Sequence, residues 1–294
     1  MKKFILLFSI LISLSFSAQQ DYEWFKINKY RTAVLSDSLN ENSGLDFFNK
    51  RLFTINDSGN SSEIFEINKE TGKIKNVFKT DLINKDWEAI TSDSTNLYVG
   101  DFGTNIGARK DLVIYKIPFD SAVRAPSSNS AQPIPFYYPE QKDFTPKNLN
   151  NNFDAEAMIF LNGKIHIFTK EWVSKSTTHY TIDQNISENQ AAQKIETFPT
   201  GYVVTDAAYF NQKLYLVGYT KKAEVFLTIF NETEPGIFFN TKPKKYYLGS
   251  SLSIGQIEGI AVYEQGIYIS GEEFNLPIIK VKPYLYFIPF EKLK

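Results

Sequence analysis

The sequence contains no cysteine and only two histidines, His166 and His179, among its 294 residues. Disulfide bonds, thiolate metal sites, a cysteine nucleophile and a lipidated N-terminal cysteine are therefore excluded. A histidine-rich zinc centre is disfavoured for the same reason, because zinc sites draw mainly on cysteine and histidine. Any metal would be held by oxygen ligands, which favours Ca²⁺ or Mg²⁺. We expect no zinc, haem or nucleotide cofactor.

An excess of charge of either sign is also absent. The chain has 32 basic and 33 acidic residues and a net charge of −1. The basic surface that marks a nucleic-acid-binding protein is missing, so we expect no nucleic-acid partner. Hydrophobic residues make up 43% of the chain and aromatic residues 15%, which is ample for a packed core. We expect a monomer with an unknown ligand or protein partner.

The N-terminus reads "MKKFILLFSILISLSFSAQQ", in which two lysines precede an apolar run and then small and polar residues. This layout is typical of a secretory signal peptide. The run is too short to cross a hydrocarbon core of roughly 30 Å, which takes about 20 residues. We predict a signal peptide over 1–18, one domain over 19–294 without a transmembrane segment, and export to the periplasm or the extracellular space.

Five stretches of the chain repeat one pattern. Each begins with a small or acidic residue and continues with an apolar strand, a short turn and a second strand rich in Tyr, Ile, Val and Leu. The stretches are "SGLDFFNKRLFTINDSG" (43–59), "WEAITSDSTNLYVGDFG" (87–103), "AEAMIFLNGKIHIFTKEW" (155–172), "TDAAYFNQKLYLVGYT" (205–220) and "IEGIAVYEQGIYISGEEF" (257–274). Further strand-like runs follow, and no amphipathic helical pattern occurs after the N-terminus. The sequence predicts an all-β protein.

Four strands in a repeat of roughly 40–50 residues is the period of a β-propeller blade. The sequence predicts five blades, with six as an alternative if the Pro/Ser/Asn-rich insertion at 124–152 hides an irregular one. A β-sandwich is the competing fold. The last repeat has only three strands, and "YRTAVLS" (30–36) can supply the fourth. That pairing would close the ring and remove open sheet edges.

In a propeller blade the first strand lies nearest the axis, and its start lies beside the end of the second strand. A turn at residues 93–96 would then place Glu88 opposite Asp101, and a turn at Asn162–Gly163 would place Glu156 opposite Thr169. The predicted inner ring is Ser43, Glu88, Glu156, Asp206 and Glu258. The predicted second tier at this face is Asp57, Asp101, Lys170, Glu171, Tyr219, Glu272 and Glu273, with Asp86 and Asp154 on loops above.

Carboxylates that converge on one axis repel each other unless cations, donors or protons compensate their charge. The ring is therefore either a cation site or a set of carboxyl groups with raised pKa values, although each acid could also simply accept backbone N–H groups in a turn. The candidate metal ligands are Glu88, Glu156, Asp206, Glu258 and Asp101. The candidate ligand-binding residues are Ser43, Asp57, Lys170, Glu171, Tyr219, Glu272, Trp87 and Trp172. No catalytic residue is assigned.

Two other motifs are interpreted as structural. "NDSGNS" (56–61) contains part of a calcium-loop pattern but lacks the distal glutamate, so it is interpreted as a turn. His166 lies in a strand between two isoleucines, which favours a packing role.

Several motifs in order, "SGL…INDSG…IFEIN…TG", "DWEAI…LYVGDFGTN…R…IYKIP", "DAEAMIF…IFTKEW" and "IEGIAV…SGEE", resemble a family of secreted bacterial β-propellers of largely unassigned function. More distantly, the chain is similar to phytase-like, esterase-like and SdiA-regulated propellers. Phytase-like propellers are calcium-dependent phosphoesterases with an acidic channel. That resemblance implies cation binding by Glu88, Glu156 and Glu258. The chain departs from it in having only Lys170 and Arg109 to hold a phosphate.

These observations favour an exported propeller that binds a ligand or partner at an acidic channel face. A metal-dependent hydrolase of phosphoesters or lactones is the main alternative, with Glu88 or Glu156 as general base. A glycosidase that uses paired carboxyl groups is a further alternative.

Overall fold

The computed structural model of the protein describes residues 21–120, 125–127, 130–276 and 279–293, so the predicted signal peptide lies outside the described residues. Regular structure is almost entirely β. Two N-terminal strands, β1 (Glu23–Trp24) and β2 (Arg31–Val34), precede the first blade. Short 3₁₀ helices lie at Ile27–Tyr30, Asp37–Leu39 and Phe290–Lys292.

The remaining strands form five antiparallel blades in chain order. Blade 1 contains β3 (Asn42–Phe48), β4 (Arg51–Asn56), β5 (Glu63–Ile67) and β6 (Ile74–Lys79). Blade 2 contains β7 (Trp87–Ser92), β8 (Asn96–Asp101), β9 (Leu112–Asp120), the short β10 (Ala125–Pro126) and β11 (Gln132–Tyr137). Blade 3 contains β12 (Ala155–Leu161), β13 (Lys164–Thr169), β14 (Thr177–Asp183) and β16 (Gln193–Phe198), while β15 (Gln190–Ala191) pairs with β11.

Blade 4 contains β17 (Val203–Phe210), β18 (Lys213–Tyr219), β19 (Glu224–Asn231) and β20 (Lys244–Ser250), with β1 added in parallel at its outer edge. A single helical turn, α1 (Ser251–Ile254), leads into blade 5. Blade 5 contains β21 (Gln256–Tyr263), β22 (Gly266–Glu272) and β25 (Tyr284–Pro289), and the hairpin β23 (Phe274–Leu276) and β24 (Ile279–Val281) is inserted between β22 and β25.

The ring closes as the sequence predicts. Strand β2 pairs antiparallel with β25, with Val34 opposite Tyr284, and so becomes the outer strand of blade 5. The five-blade prediction is confirmed, and the six-blade and β-sandwich alternatives are wrong for the described residues. The insertion at 124–152 contributes β11, the outer strand of blade 2.

Several blade hairpins have a tight turn between the first two strands. Asn49–Lys50, Asn162–Gly163 and Asn211–Gln212 all have positive φ at both central residues. That conformation is the type I′ turn, whose twist matches the twist of the flanking strands and which asparagine and glycine adopt most readily. The sequence prediction of a hairpin at Asn162–Gly163 is therefore confirmed.

The core lies between the faces of neighbouring blades. Between blades 1 and 2, for example, Phe53 and Ile55 pack with Ile90 and Val99. Apolar clusters of the same kind lie between each later pair of blades, and a further cluster joins blade 5 to blade 1. Packing therefore closes the ring as well as hydrogen bonding. Among the helices in the described part of the chain, none is long and apolar enough to span a membrane.

Candidate functional site

The inner strand of every blade carries a β-bulge near its start, where one residue has no partner on the second strand. The bulged residues are Gly44, Glu88, Glu156, Thr205 and Glu258. A bulge increases the local twist and re-aims the side chain it carries. Three of the five bulges carry a glutamate, so the same backbone feature presents acid groups from three different blades.

The bulges shift the predicted register by one residue. Trp87 lies opposite Asp101, so the predicted pairing of Glu88 with Asp101 is wrong. In blade 3 the bulged Glu156 is likewise skipped, and Thr169 pairs with the residue before it. The register prediction failed because it assumed an unbroken ladder.

The three glutamates line a cavity of about 290 Å³ at one mouth of the channel. Most of the residues predicted from the sequence meet there. They are Ser43, Asp57, Glu88, Glu156, Lys170, Trp172, Tyr219, Glu258 and Glu272. Asn105, Leu149 and Gln256 complete the lining and were not predicted. Asn105 and Leu149 come from two loops that are joined by a backbone hydrogen bond of 3.0 Å, a contact that has no signature in the sequence.

Asp206 does not reach this cavity, although it was predicted as a ring member. It follows the bulge at Thr205 and is fully buried. Its carboxylate accepts backbone N–H groups from Leu45 (3.2 Å), Ala207 (2.8 Å) and Ile260 (2.6 Å). Asp206 therefore ties the inner strands of blades 1, 4 and 5 together.

Three further predicted residues also lie outside the cavity. Asp101 is fully buried in an ion pair with Arg109, with 2.8 Å between carboxylate and guanidinium. Glu171 accepts hydrogen bonds from the hydroxyl groups of Thr169, Ser174 and Thr178. Their carboxylates are thus already bound by protein groups, so Asp101 is not available as a metal ligand at the cavity and Glu171 is not available to bind a ligand there.

The third, Trp87, is buried in the core between blades 1 and 2 and donates its indole N–H to the Ile83 carbonyl at 3.3 Å. Trp172 is the tryptophan that lines the cavity.

Asp57, Asp86 and Glu88 form one wall of the site. Each offers a carboxylate oxygen, and these oxygens all lie within 4.8 Å of one another. We call these three residues the acid trio. Asp86 was predicted only as a loop residue above the ring, because the sequence does not reveal how the chain before β7 folds back. Oε1 of Glu88 is buried without a hydrogen-bond partner.

Gly103 makes the close approach of two of these carboxylates possible. Its N–H donates to the Asp86 carbonyl at 3.2 Å. A Cβ at Gly103 would overlap Oε1 of Glu88 and lie 2.6 Å from Oδ2 of Asp86. Such contacts are too short for a real side chain, so any larger residue here would have to displace these two carboxylates. The "GDFG" segment at 100–103 is thus part of the wall behind the acid trio.

Lys170 is the positively charged residue among the described residues that line the cavity. It is 3% exposed and forms an ion pair with Oε1 of Glu156, while Oε2 of Glu156 is buried without a hydrogen-bond partner. Its ammonium lies 5.3 Å from the Trp172 ring centroid and 5.5 Å from that of Tyr219. Burial opposes the ammonium charge, but Glu156 and other acids nearby raise the pKa of Lys170 well above its usual value. Lys170 is therefore a fixed positive charge.

Gln256 joins two further acids of the cavity. Its side-chain amide donates to Glu258 at 2.7 Å and to Glu272 at 2.5 Å. One neutral amide compensates little of their charge. Burial, together with the charges of Glu258 and Asp57, raises the pKa of Glu272 to about 9.

The carboxyl groups of the acid trio also have raised pKa values, as Glu272 does. Burial raises the pKa of Asp57 to about 7, and the charges of Asp86 and Glu258 contribute in the same direction. Burial also raises the pKa of Glu88 well above its usual value, reinforced by its acidic neighbours. Six carboxyl groups thus gather around one lining ammonium among the described residues. The site can lower its free energy by taking up protons or by binding a cation.

Asp154 holds two residues of the cavity lining, Lys170 and Trp172, in position. It is fully buried, accepts the backbone N–H of Thr104 at 2.8 Å, and accepts the Trp172 indole N–H at 3.3 Å. Its own backbone carbonyl accepts the N–H of Lys170 at 2.7 Å. Asp154 thereby holds both the indole ring of Trp172 and the backbone of Lys170 in place.

The two histidines lie away from the cavity. Nδ1 of His166 and Nε2 of His179 are 2.7 Å apart, and Nδ1 of His179 lies 3.1 Å from the Glu196 carboxylate. Burial lowers the pKa of His166 to about 3. The packing interpretation of His166 agrees with this arrangement.

Comparison with known proteins adds little to this geometry. No protein-family model matches the chain, and no curated protein matches it. Among solved structures, Kuenenia stuttgartiensis hydrazine synthase is similar with a TM-score of 0.41 and 11% identity over 87% of this chain and 68% of that chain. A chain of a mitotic checkpoint complex is similar with a TM-score of 0.38 and 10% identity over 83% and 63% of the two chains. Likeness at this level carries no argument about function.

Proposed function

We propose that this propeller is a ligand-binding protein whose site at the channel mouth includes a divalent cation, with Ca²⁺ as the first candidate. The observation that carries the proposal is the acid trio, together with the buried and unpartnered Oε1 of Glu88. A buried carboxylate oxygen without a partner is costly. A bound cation would supply the missing partner, and its charge would lower the raised pKa values of the neighbouring acids.

The dimensions of the trio suit a calcium ion. Calcium binds oxygen ligands at about 2.3–2.6 Å, so two oxygens on opposite sides of the ion are roughly 5 Å apart. The trio oxygens lie within 4.8 Å of one another. Mg²⁺ demands a smaller and more regular shell, and it is the second choice.

Lys170 defines the class of ligand. Its ammonium would share a cavity of about 290 Å³ with a cation on the trio. Two positive centres in one cavity favour an anionic group, such as a carboxylate or phosphate, that contacts both. Trp172 offers an apolar surface for the rest of such a ligand.

A hydrolase is the second candidate. Oε2 of Glu156 is buried, unpartnered and part of the same cavity. It could accept a proton from a water molecule bound to the cation, which is how metal-dependent hydrolases generate their nucleophile. The distant resemblance to phytase-like and esterase-like propellers favours phosphoesters and lactones as the substrates to test.

We further propose that the protein acts after export, in the periplasm or outside the cell. The support is the signal-like pattern of residues 1–18, with paired lysines followed by an apolar run. Mass spectrometry of the secreted and cell-associated protein would locate it and give its N-terminus.

Thermal unfolding with CaCl₂, MgCl₂ or a chelator tests the cation site. Free ion at 100 times its Kd stabilises a protein by about 2.7 kcal/mol, which corresponds to roughly 5–10 °C in Tm for a chain of this size. The double variant Asp57→Asn/Glu88→Gln should lose this shift. Asp81→Asn, which removes one exposed carboxylate outside the site, is the matched control and should keep it.

Two results would refute the proposal. One is an unchanged Tm with either ion, and the other is a full calcium shift in the double variant. Hydrolysis of generic phosphoesters or lactones that depends on the ion and on Glu156 would favour the hydrolase over the binding protein.

A further inference from the structure

The channel has a second mouth, and a different cavity lies there. The inner strands of the blades contribute to the first site near their starts. About three or four residues further along, the same strands line a cavity of about 240 Å³ at the other end of the channel. All five blades contribute to it, through β3, β7, β12, β17 and β21. None of its lining residues belongs to the first site.

Asp206 lies between the two cavities along the inner strands. Its bonds to the backbone of Leu45 and Ile260 hold blades 1 and 5 against blade 4 at mid-channel. Each residue adds about 3.3 Å along a strand, so residues three or four positions apart are roughly 10–13 Å apart. The second cavity is therefore a separate site rather than an extension of the first.

Aromatic residues are numerous among the twelve residues that line the second cavity. Five of its lining residues are aromatic, namely Phe47, Phe160, Tyr209, Phe210 and Tyr263. Several of these rings are held by stacking on neighbours, which leaves them fixed in place. Phe47 stacks on Tyr263 with 4.6 Å between centroids, and Phe160 stacks on Tyr98 at 5.3 Å.

A single charged residue, Asp46, accompanies these rings. Among the described residues that line the cavity there is no lysine, arginine or histidine. Ser92 donates its hydroxyl to the Asp46 carboxylate at 2.5 Å, and the backbone N–H of Phe47 also donates to it, which leaves part of the acceptor capacity of the carboxylate unused. Burial raises the pKa of Asp46 to about 7, as expected for a carboxyl group that lacks a positive partner.

We propose that this second mouth binds a small organic ammonium ion, with its charge against Asp46 and its alkyl groups against the aromatic rings. Aromatic faces attract cations through the ring quadrupole, and aromatic enclosures recognise quaternary ammonium groups in this way. The carboxylate adds the opposite charge. A metal ion would find only one carboxylate here, and an anion would be repelled by it. The small volume favours a compact ligand over a segment of a protein partner.

One ring of the cavity already makes such a contact. The ammonium of Lys69 lies 5.6 Å from the centroid of Tyr263. Because Phe47 also stacks on Tyr263, the rings left to a ligand are those of the other lining aromatic residues, such as Phe160.

Isothermal titration of the full chain with choline tests the proposal, with 3,3-dimethylbutan-1-ol as the neutral probe of the same shape. We expect choline to bind at least about tenfold more tightly than the neutral alcohol. Asp46→Asn should weaken choline binding by about tenfold, and Phe160→Leu should weaken it several-fold. The exposed control Asp81→Asn should bind choline as the wild type does.

The proposal is overturned if choline does not bind at millimolar concentrations, if the neutral alcohol binds equally well, or if Asp46→Asn binds choline unchanged. Should Asp46→Asn fail to fold, the comparison of choline with its neutral analogue on the wild-type protein still decides. Calcium titration of the same samples is a separate readout, because the acid trio is at the other mouth. Loss of one response therefore does not imply loss of the other.

Discussion

Replacing Asp57 by asparagine should flatten the pH dependence of stability in the metal-free protein. The native environment raises the pKa of Asp57 from 3.8 to about 7, mainly through burial. The folded protein therefore holds a proton that the unfolded chain releases near pH 4. Stability from this proton is fully present below pH 4 and is lost as the pH rises towards and through 7.

The magnitude follows from the difference of about 3 between the two pKa values. Each pKa unit corresponds to 1.36 kcal/mol, so Asp57 alone could cost the folded state about 4 kcal/mol between pH 4 and pH 8. This is an upper limit, because Asp57 is partly exposed and its pKa depends on the charge states of Asp86 and Glu258. We expect a measured difference of about 1–3 kcal/mol between wild type and variant.

Urea unfolding between pH 4 and pH 8 with a chelator present is the assay. The asparagine side chain cannot titrate, so the difference between the two stability curves isolates this group from others, such as Glu272, whose raised pKa acts in the same direction. Saturating Ca²⁺ should flatten the wild-type curve as well, because the cation replaces the proton. Parallel curves for wild type and Asp57→Asn, or a steeper curve for the variant, would refute the reasoning.

Three further predictions concern the scaffold of the site. Gly103→Ala should lower Tm and abolish the calcium-dependent shift in Tm, because the added Cβ would displace Glu88. Thermal unfolding with and without CaCl₂ measures both effects, and an unchanged shift would show that the acid trio tolerates the methyl group. Asp206→Ala leaves three buried N–H groups unpaired, at about 1–3 kcal/mol each. Urea unfolding should therefore show that the free energy of unfolding falls by about 3 kcal/mol or more. A decrease below about 1 kcal/mol would contradict the role of Asp206 in holding the three strands together. Ala33→Pro should break the pairing of β2 with β25, expose the edge of β25 and promote association of the protein. Size-exclusion chromatography would detect the association, and a variant that stays a stable monomer would argue against this role of β2.

The fold could be predicted because the sequence pattern of one blade occurs five times in the chain. Five hairpins with the same order of acid, strand and turn specify five blades, and the missing fourth strand of the last blade points to the N-terminal strand. Turn chemistry such as Asn162–Gly163 fixes each hairpin locally. These signals are short-range and periodic, so one sequence suffices to detect them.

The site could be predicted only in part, because its details depend on the backbone between repeats. A bulge leaves no clear mark in the sequence, so Asp206 was aligned with the glutamates although it lies one position beyond the bulge of its strand. Asp101 and Trp87 were included because they neighbour Glu88 along or across the hairpin. The bulge separates them from it, and each has its own partners in the protein. Asp86 joins the trio through the loop before β7, which has no periodic signal.

The pairing of β2 with β25 predicts a late step in folding. Thr32 donates its hydroxyl to the carbonyl of Leu285 at 3.0 Å, a contact between residues 253 positions apart. Non-local pairings of this kind carry a large loop-closure entropy and form slowly. During synthesis the beginning of the domain must wait, unpaired, until its end has emerged, and until then the first and last blades have no common face. Chaperone binding or proteolysis of the nascent chain would act most strongly in that interval.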